Sequence, residues 1–115
     1  MIGGQALDRN RIAPVLERLL HNDPSLIKLS FKGRNIGPVA GVRLAYALVN
    51  NSTLTALDLQ GNGVGEQGGL ALADALRQNS TIRFLNVRGC GLSPTAAEAV
   101  ALAARGSSAM SQVSD

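Results

Sequence analysis

Few residues in this chain could carry chemistry. One histidine, His21, and one cysteine, Cys90, stand among 115 residues. Nucleophilic catalysis needs a base beside the nucleophile and a third group to orient it, and no such trio can be placed around either residue. His21 falls at the end of a predicted helix, where a cation suits the negative pole of the helix dipole. Cys90 reads as a half-buried residue of a predicted turn, with a reactive thiol near Arg88 as the alternative. Two such residues cannot build a structural zinc site, and one cysteine cannot form an internal disulfide. No metal and no cofactor are expected. Gly63 to Gly68 reads G-x-G-x-x-G between a strand and a helix, the setting of a dinucleotide loop. Yet Val64 and Gly65 recur as Ile36 and Gly37 in an earlier segment without that motif, and the next strand ends in Val87 and Arg88 rather than an acid. A repeated turn accounts for these glycines better than a nucleotide does. Asn50, Asn51 and Asn79 each begin a glycosylation acceptor pattern, but they lie in one recurring turn, where asparagine and serine are favoured for local hydrogen bonding.

Those turns belong to a repeat. Three segments beginning at Leu26, Leu54 and Ile82 align at a constant offset of 28 residues. The apolar columns are Leu26, Leu54, Ile82; Leu29, Leu57, Leu85; Phe31, Leu59, Val87; and Ile36, Val64, Leu92. The offset persists downstream in Leu44, Leu72, Val100 and in Ala47, Ala75, Ala103. Apolar residues at first, fourth and sixth positions predict strands over 26–31, 54–59 and 82–87. Helical spacing follows each strand and predicts helices over 38–49, 66–77 and 94–104, and a half-repeat that opens the chain predicts one over 9–21. Pro38 and Pro94 suit first-turn positions, Ser93 suits an N-cap, and Pro14 must lie near the first turn of the first helix. Strand–helix repetition gives parallel strands with right-handed crossovers. No single unit can bury its own apolar face, so the units stack. Gly33, Gly61 and Gly89 mark the tight turns at the strand exits.

The inner face of this stack is where strand residues between the core leucines point. It carries Lys28, Lys32, Arg83 and Arg88 against Asp58, a charge equal to the net +3 of the whole chain. Gln60, Asn86 and Phe84 complete it. An exposed aromatic beside arginine is a common interface anchor. These eight residues are the candidate partner-binding set, with an acidic protein segment as the expected partner. Aromatic residues make up only 3% of the chain, which argues against nucleic acid as a stacking partner.

The run from Leu54 to Val64, with its leucine spacing and Asn62, resembles the leucine-rich repeat. The 28-residue period with a full helix is similar to the ribonuclease-inhibitor-like subclass. The resemblance covers roughly residues 10–104. It implies a short right-handed α/β solenoid, with parallel strands on the concave face and helices on the convex face. It implies a non-enzymatic, protein-binding role. Regulation of a small GTPase or a nucleic-acid-binding basic module are the alternatives. The family's turn asparagine is present as Asn62 but is Arg34 in the first copy and Cys90 in the third, so its hydrogen-bond ladder is expected to be incomplete, with a distorted or exposed first turn.

The expected organisation is an N-terminal extension over 1–8, a repeat domain over 9–104 opened by the capping helix 9–21, and a disordered Ser-rich tail over 105–115. The tail is read as breaking the repeat columns. Helix 94–104 carries one charge and resembles an internal helix, which suggests that this end meets another copy, the rest of a larger protein or the folded-back tail. No secretory signal or long apolar run is evident, and the expected location is the cytoplasm.

Overall fold

The computed structural model describes residues 11–114. The N-terminal extension 1–8 and the first residues of the predicted helix 9–21 lie outside the described residues. The elements alternate along the chain: α1 Ala13–Leu20, β1 Lys28–Ser30, α2 Pro38–Leu48, β2 Ala56–Asp58, α3 Gly65–Gln78, β3 Phe84–Asn86, α4 Pro94–Arg105 and β4 Gln112–Ser114. The four strands form one parallel sheet in chain order. Leu29 pairs with Leu57, Leu57 with Leu85, and Leu85 with Val113, so each register step equals the 28-residue offset of the sequence.

The strands are shorter than predicted because the backbone turns at Phe31, Leu59 and Val87, whose side chains are fully buried. The inter-strand ladder nevertheless runs past the turn. The Phe31 N–H donates to the Asp58 carbonyl at 2.8 Å, and the Gly33 N–H donates to the Gln60 carbonyl at 2.9 Å. Gly33, Gly61 and Gly89 take φ of 63°, 76° and 67° at these exits, a conformation that side chains with a Cβ rarely adopt.

The helices begin where the sequence places them. Pro14, Pro38 and Pro94 occupy first-turn positions, where the missing N–H has no partner to lose. The Ser93 hydroxyl accepts a hydrogen bond from the Ala96 N–H at 3.1 Å and caps α4. Gly41, Ala45 and Leu48 on α2 recur as Gly69, Ala73 and Leu76 on α3, all buried. Of the equivalent α4 residues at the end of the stack, Ala97 and Ala101 are only partly buried and Ala104 is buried.

The tail corrects the sequence reading. Residues 105–115 were expected to be disordered, but Gln112–Ser114 forms a fourth strand beside β3. The Ser111 N–H donates to the Arg83 carbonyl at 2.8 Å, and the Val87 N–H donates to the Ser114 carbonyl at 2.8 Å. Met110 and Val113 stand 28 residues after Ile82 and Leu85 and pack against the core. Two repeat columns therefore continue through the serines. Serine-rich composition disfavours order when nothing apolar can be buried. Here the edge of β3 supplies both backbone partners and an apolar floor.

Candidate protein-interaction face

The in-register sheet turns the outward strand residues into rows. Lys28, Ala56, Phe84 and Gln112 form one row, and Ser30, Asp58, Asn86 and Ser114 form the next. Adjacent strands lie ~4.8 Å apart, so Lys28 and Phe84 are separated by about 10 Å. Phe84 is 46% exposed. An open depression of about 440 Å³ lies on these two rows.

The predicted binding residues divide into two groups. Lys28, Lys32, Arg83 and Arg88 are exposed, and their side chains make no hydrogen bond or ion pair among the described residues. Asp58, Gln60 and Asn86 are partly buried and engaged within the face. The Gln60 N–H donates to Asp58 Oδ1 at 2.9 Å, and the Arg88 N–H donates to Asn86 Oδ1 at 3.0 Å. Asn86 Nδ2 donates to Gln60 Oε1 at 3.2 Å. In β1 the equivalent Ser30 hydroxyl accepts from the Lys32 N–H at 3.3 Å. The row of Ser30, Asp58 and Asn86 therefore caps the strand-exit turns through the backbone N–H groups of Lys32, Gln60 and Arg88.

Beneath the strand exits lie the three predicted ladder positions. The Asn62 side chain is buried and makes four hydrogen bonds. Its Oδ1 accepts from the Arg34 and Ile36 N–H groups at 3.1 and 2.9 Å, and its Nδ2 donates to the Phe31 and Leu59 carbonyls, both at 2.9 Å. Arg34 enters this network through its main chain, while its guanidinium lies 5.8 Å from the centre of the Phe31 ring. Asn35, beside it, takes a φ of 60°. Cys90 is 1% exposed, and its Sγ donates to the Leu59 carbonyl at 3.0 Å. Burial pushes the Cys90 thiol pKa up, only partly opposed by a hydrogen bond from the Asn62 backbone, and the Asp58 charge raises it further. The lowering by Arg88 that sequence proximity suggested is absent, because the thiol points into the core. Native protein is therefore expected to resist alkylation of Cys90 by iodoacetamide at neutral pH and to react in full once unfolded. Rapid labelling of folded protein, followed by mass spectrometry, would contradict this burial.

A second set of buried amides was not recognised as such in the sequence. Asn51 and Asn79 are 4% and 5% exposed. Asn51 Nδ2 donates to the Leu19 carbonyl at 2.9 Å, and Asn79 Nδ2 donates to the Leu48 carbonyl at 2.8 Å. Their Oδ1 atoms accept from the N–H groups of Leu54 and Ile82. The signal was present as their 28-residue spacing, where it read as surface turn chemistry. The enclosed Nδ2 atoms are already committed, which removes the sugar-acceptor reading of these two patterns. One period earlier the position is Asp23, whose carboxyl is held at about 2 by hydrogen bonds from the Arg18 side chain and from Ser25.

The other candidates resolve into structure. His21 is exposed, with Nδ1 2.8 Å from the Glu17 carbonyl oxygen. Gly65 takes a φ of 67°, and a Cβ on Gly68 would lie 2.6 Å from Val64 Cβ, so turn and packing account for two of the three glycines of the G-x-G-x-x-G run. Among the described residues no group of His, Cys, Asp and Glu could hold a metal ion, and no helix is long and apolar enough to cross a membrane.

Residues 50–73 and 78–101 match the leucine-rich repeat family. The fold is similar to a solved structure of leiomodin-1 actin-binding site 2 (ABS2), with a TM-score of 0.83 and 22% sequence identity. That match covers 89% of this chain and 60% of the leiomodin-1 structure, so the chain spans well under two thirds of its length. No curated protein sequence matches the chain. The chain carries leucine-rich repeats, and its alternating helices and parallel strands are an α/β leucine-rich-repeat solenoid.

Proposed function

We propose that this leucine-rich-repeat solenoid is a non-enzymatic protein-interaction module whose sheet face receives an acidic segment of a partner. The observation that carries the reading is the set of four exposed cations, Lys28, Lys32, Arg83 and Arg88, without a side-chain partner among the described residues, together with the exposed ring of Phe84. Cations with no internal partner on a rigid sheet steer and orient an acidic ligand, and a central aromatic supplies desolvated contact area. The fold likeness adds support, since the leiomodin-1 domain is named as an actin-binding site and thus binds a protein. The 28-residue register and the full-length helices favour the ribonuclease-inhibitor-like subclass.

The test is fluorescence anisotropy with a labelled Glu-rich peptide of about ten residues, long enough at ~3.3 Å per residue to cross the sheet. The wild type is compared with a Lys28→Glu/Arg83→Glu/Arg88→Glu variant of unchanged circular dichroism. Each reversal removes an exposed attraction of about 0.5–1 kcal/mol and adds a repulsion of similar size, so binding is expected to weaken by roughly 100-fold or more. Wild-type binding should also weaken steeply with added salt. Equal affinity of the two proteins would place recognition elsewhere.

A further inference from the structure

The charge on the sheet face is not uniform. Among the described residues its single carboxylate, Asp58, lies on a central strand, in the row directly beside Ala56. Ala56 itself stands between two long side chains, Lys28 and Phe84, in the register of the sheet. That short side chain leaves a notch between its neighbours, within the depression of about 440 Å³ that runs across the sheet and is lined there by Ala56, Leu57, Phe84 and Asp58. Asp58 uses one oxygen to accept the Gln60 N–H. The ion pairs among the described residues are Arg18 with Asp23, His21 with Glu17 and Arg77 with Asp74. Asp58 thus has four cations on its own face and an ion pair with none of them.

We infer that the acidic segment carries one basic residue, an arginine or lysine, whose aliphatic stem enters the notch above Ala56 and whose charged head reaches the unpaired oxygen of Asp58. This rests on the acidic-segment reading and adds the residue that sets its register. The notch is apolar along its floor and carries an acceptor at its edge, which is the profile of an amphipathic cationic side chain. A purely apolar side chain would strip water from the Asp58 carboxylate and return no hydrogen bond. A carboxylate would be repelled by it. Arginine is preferred over lysine, because a planar guanidinium can stack on the Phe84 ring while it donates to the carboxylate. The neighbouring acids of the same segment then meet the outer cations, so the ligand pattern is a single positive centre flanked by negative residues.

Three labelled Glu-rich peptides of about ten residues test this, identical except for a central Arg, Leu or Glu. The Arg peptide is the least negative of the three, so charge attraction alone ranks it last. It is expected to bind wild-type protein about 5- to 20-fold more tightly than the other two, a size between that of an exposed ion pair and that of a desolvated interfacial pair. Asp58→Asn keeps an oxygen for the Gln60 N–H and is expected to abolish that preference. Ala56→Leu fills the notch and is expected to weaken the Arg peptide while leaving the Glu peptide unchanged. If the Glu peptide binds wild type most tightly, or if Asp58→Asn retains the Arg preference, the inference is wrong and the acidic-segment reading stands. If no peptide binds, or if the charge-reversed protein binds all three as tightly as wild type does, both fall together.

Discussion

Replacing Asn62 with alanine is expected to lower the unfolding free energy by about 3–5 kcal/mol, read from the urea midpoint at an unchanged slope. The side chain stitches the first strand-exit turn to the second through two donated and two accepted hydrogen bonds. The four partners do not suffer equally. The Phe31 carbonyl keeps the Arg34 N–H, and that same bond gives the Arg34 N–H a second acceptor. The Leu59 carbonyl keeps the Cys90 Sγ. The buried Ile36 N–H, by contrast, is left with nothing. One fully orphaned buried group costs about 1–3 kcal/mol, and each of the three weakened groups costs roughly 0.5–1 kcal/mol. Asn62→Cys should fall between wild type and Asn62→Ala, because Cys90 at the equivalent position retains a single bond to the preceding unit. A loss below about 1 kcal/mol for alanine would mean that water replaces the amide and that the turn is less enclosed than its burial indicates.

Gly69→Val is expected to cost about 3 kcal/mol or more, although valine is the better helix former. A Cβ at Gly69 would stand 2.6 Å from Leu92 Cδ2 and 2.7 Å from Ala96 Cβ. The leucine methyl can rotate away, but the alanine Cβ is fixed to the α4 backbone, so α3 and α4 must part. Overpacking of this kind costs about 1–3 kcal/mol for the first carbon, and the branched methyls add to it. Replacing glycine in a helix returns less than about 1 kcal/mol. Gly41→Ala is the informative control. Its Cβ would lie 3.1 Å from Val64 Cβ and Cγ1, a gap that a shift of a few tenths of an ångström relieves, so a near-neutral change is expected. In a double-mutant cycle Gly69→Ala should be partly rescued by Ala96→Gly, because the two positions compete for one space. Additive losses would show that the helices are not in contact at this point.

Both effects arise between units, and that is where the sequence was least legible. Within a unit, leucine spacing and proline placement located each described helix to within a residue or two, apart from the opening of α1, and located the centre of the first three strands. The candidate face was legible because strand alternation assigns sides: Lys28, Phe84 and Arg88 had to point away from Leu29, Leu85 and Val87. What those residues touch was not legible. The turn-capping bonds of Asp58 and Asn86 depend on backbone N–H groups brought near by the strand exit. The inward amides of Asn51 and Asn79 reach carbonyls of Leu19 and Leu48 about one period earlier in the chain. A glycosylation pattern and a buried ladder share the same letters, and only the position of the neighbouring unit separates them.

By itself, then, the sequence determined the 28-residue period, the alternation of strand and helix, the order of the strands and the sign of charge on the sheet face. These follow from local periodicity, which acts within a few residues and repeats unchanged along the chain. Only the tertiary structure decided that Gln112–Ser114 is a strand, that Gly69 is a place of helix contact, and that Asp58 has no ion pair among the described residues beside a notch at Ala56. A weak strand forms when an existing edge supplies its hydrogen bonds and an apolar surface takes up Met110 and Val113. A glycine is required when a neighbouring helix leaves no room for a carbon. Each of these is a contact between units rather than a property of one, and it comes into being only when the repeats stack.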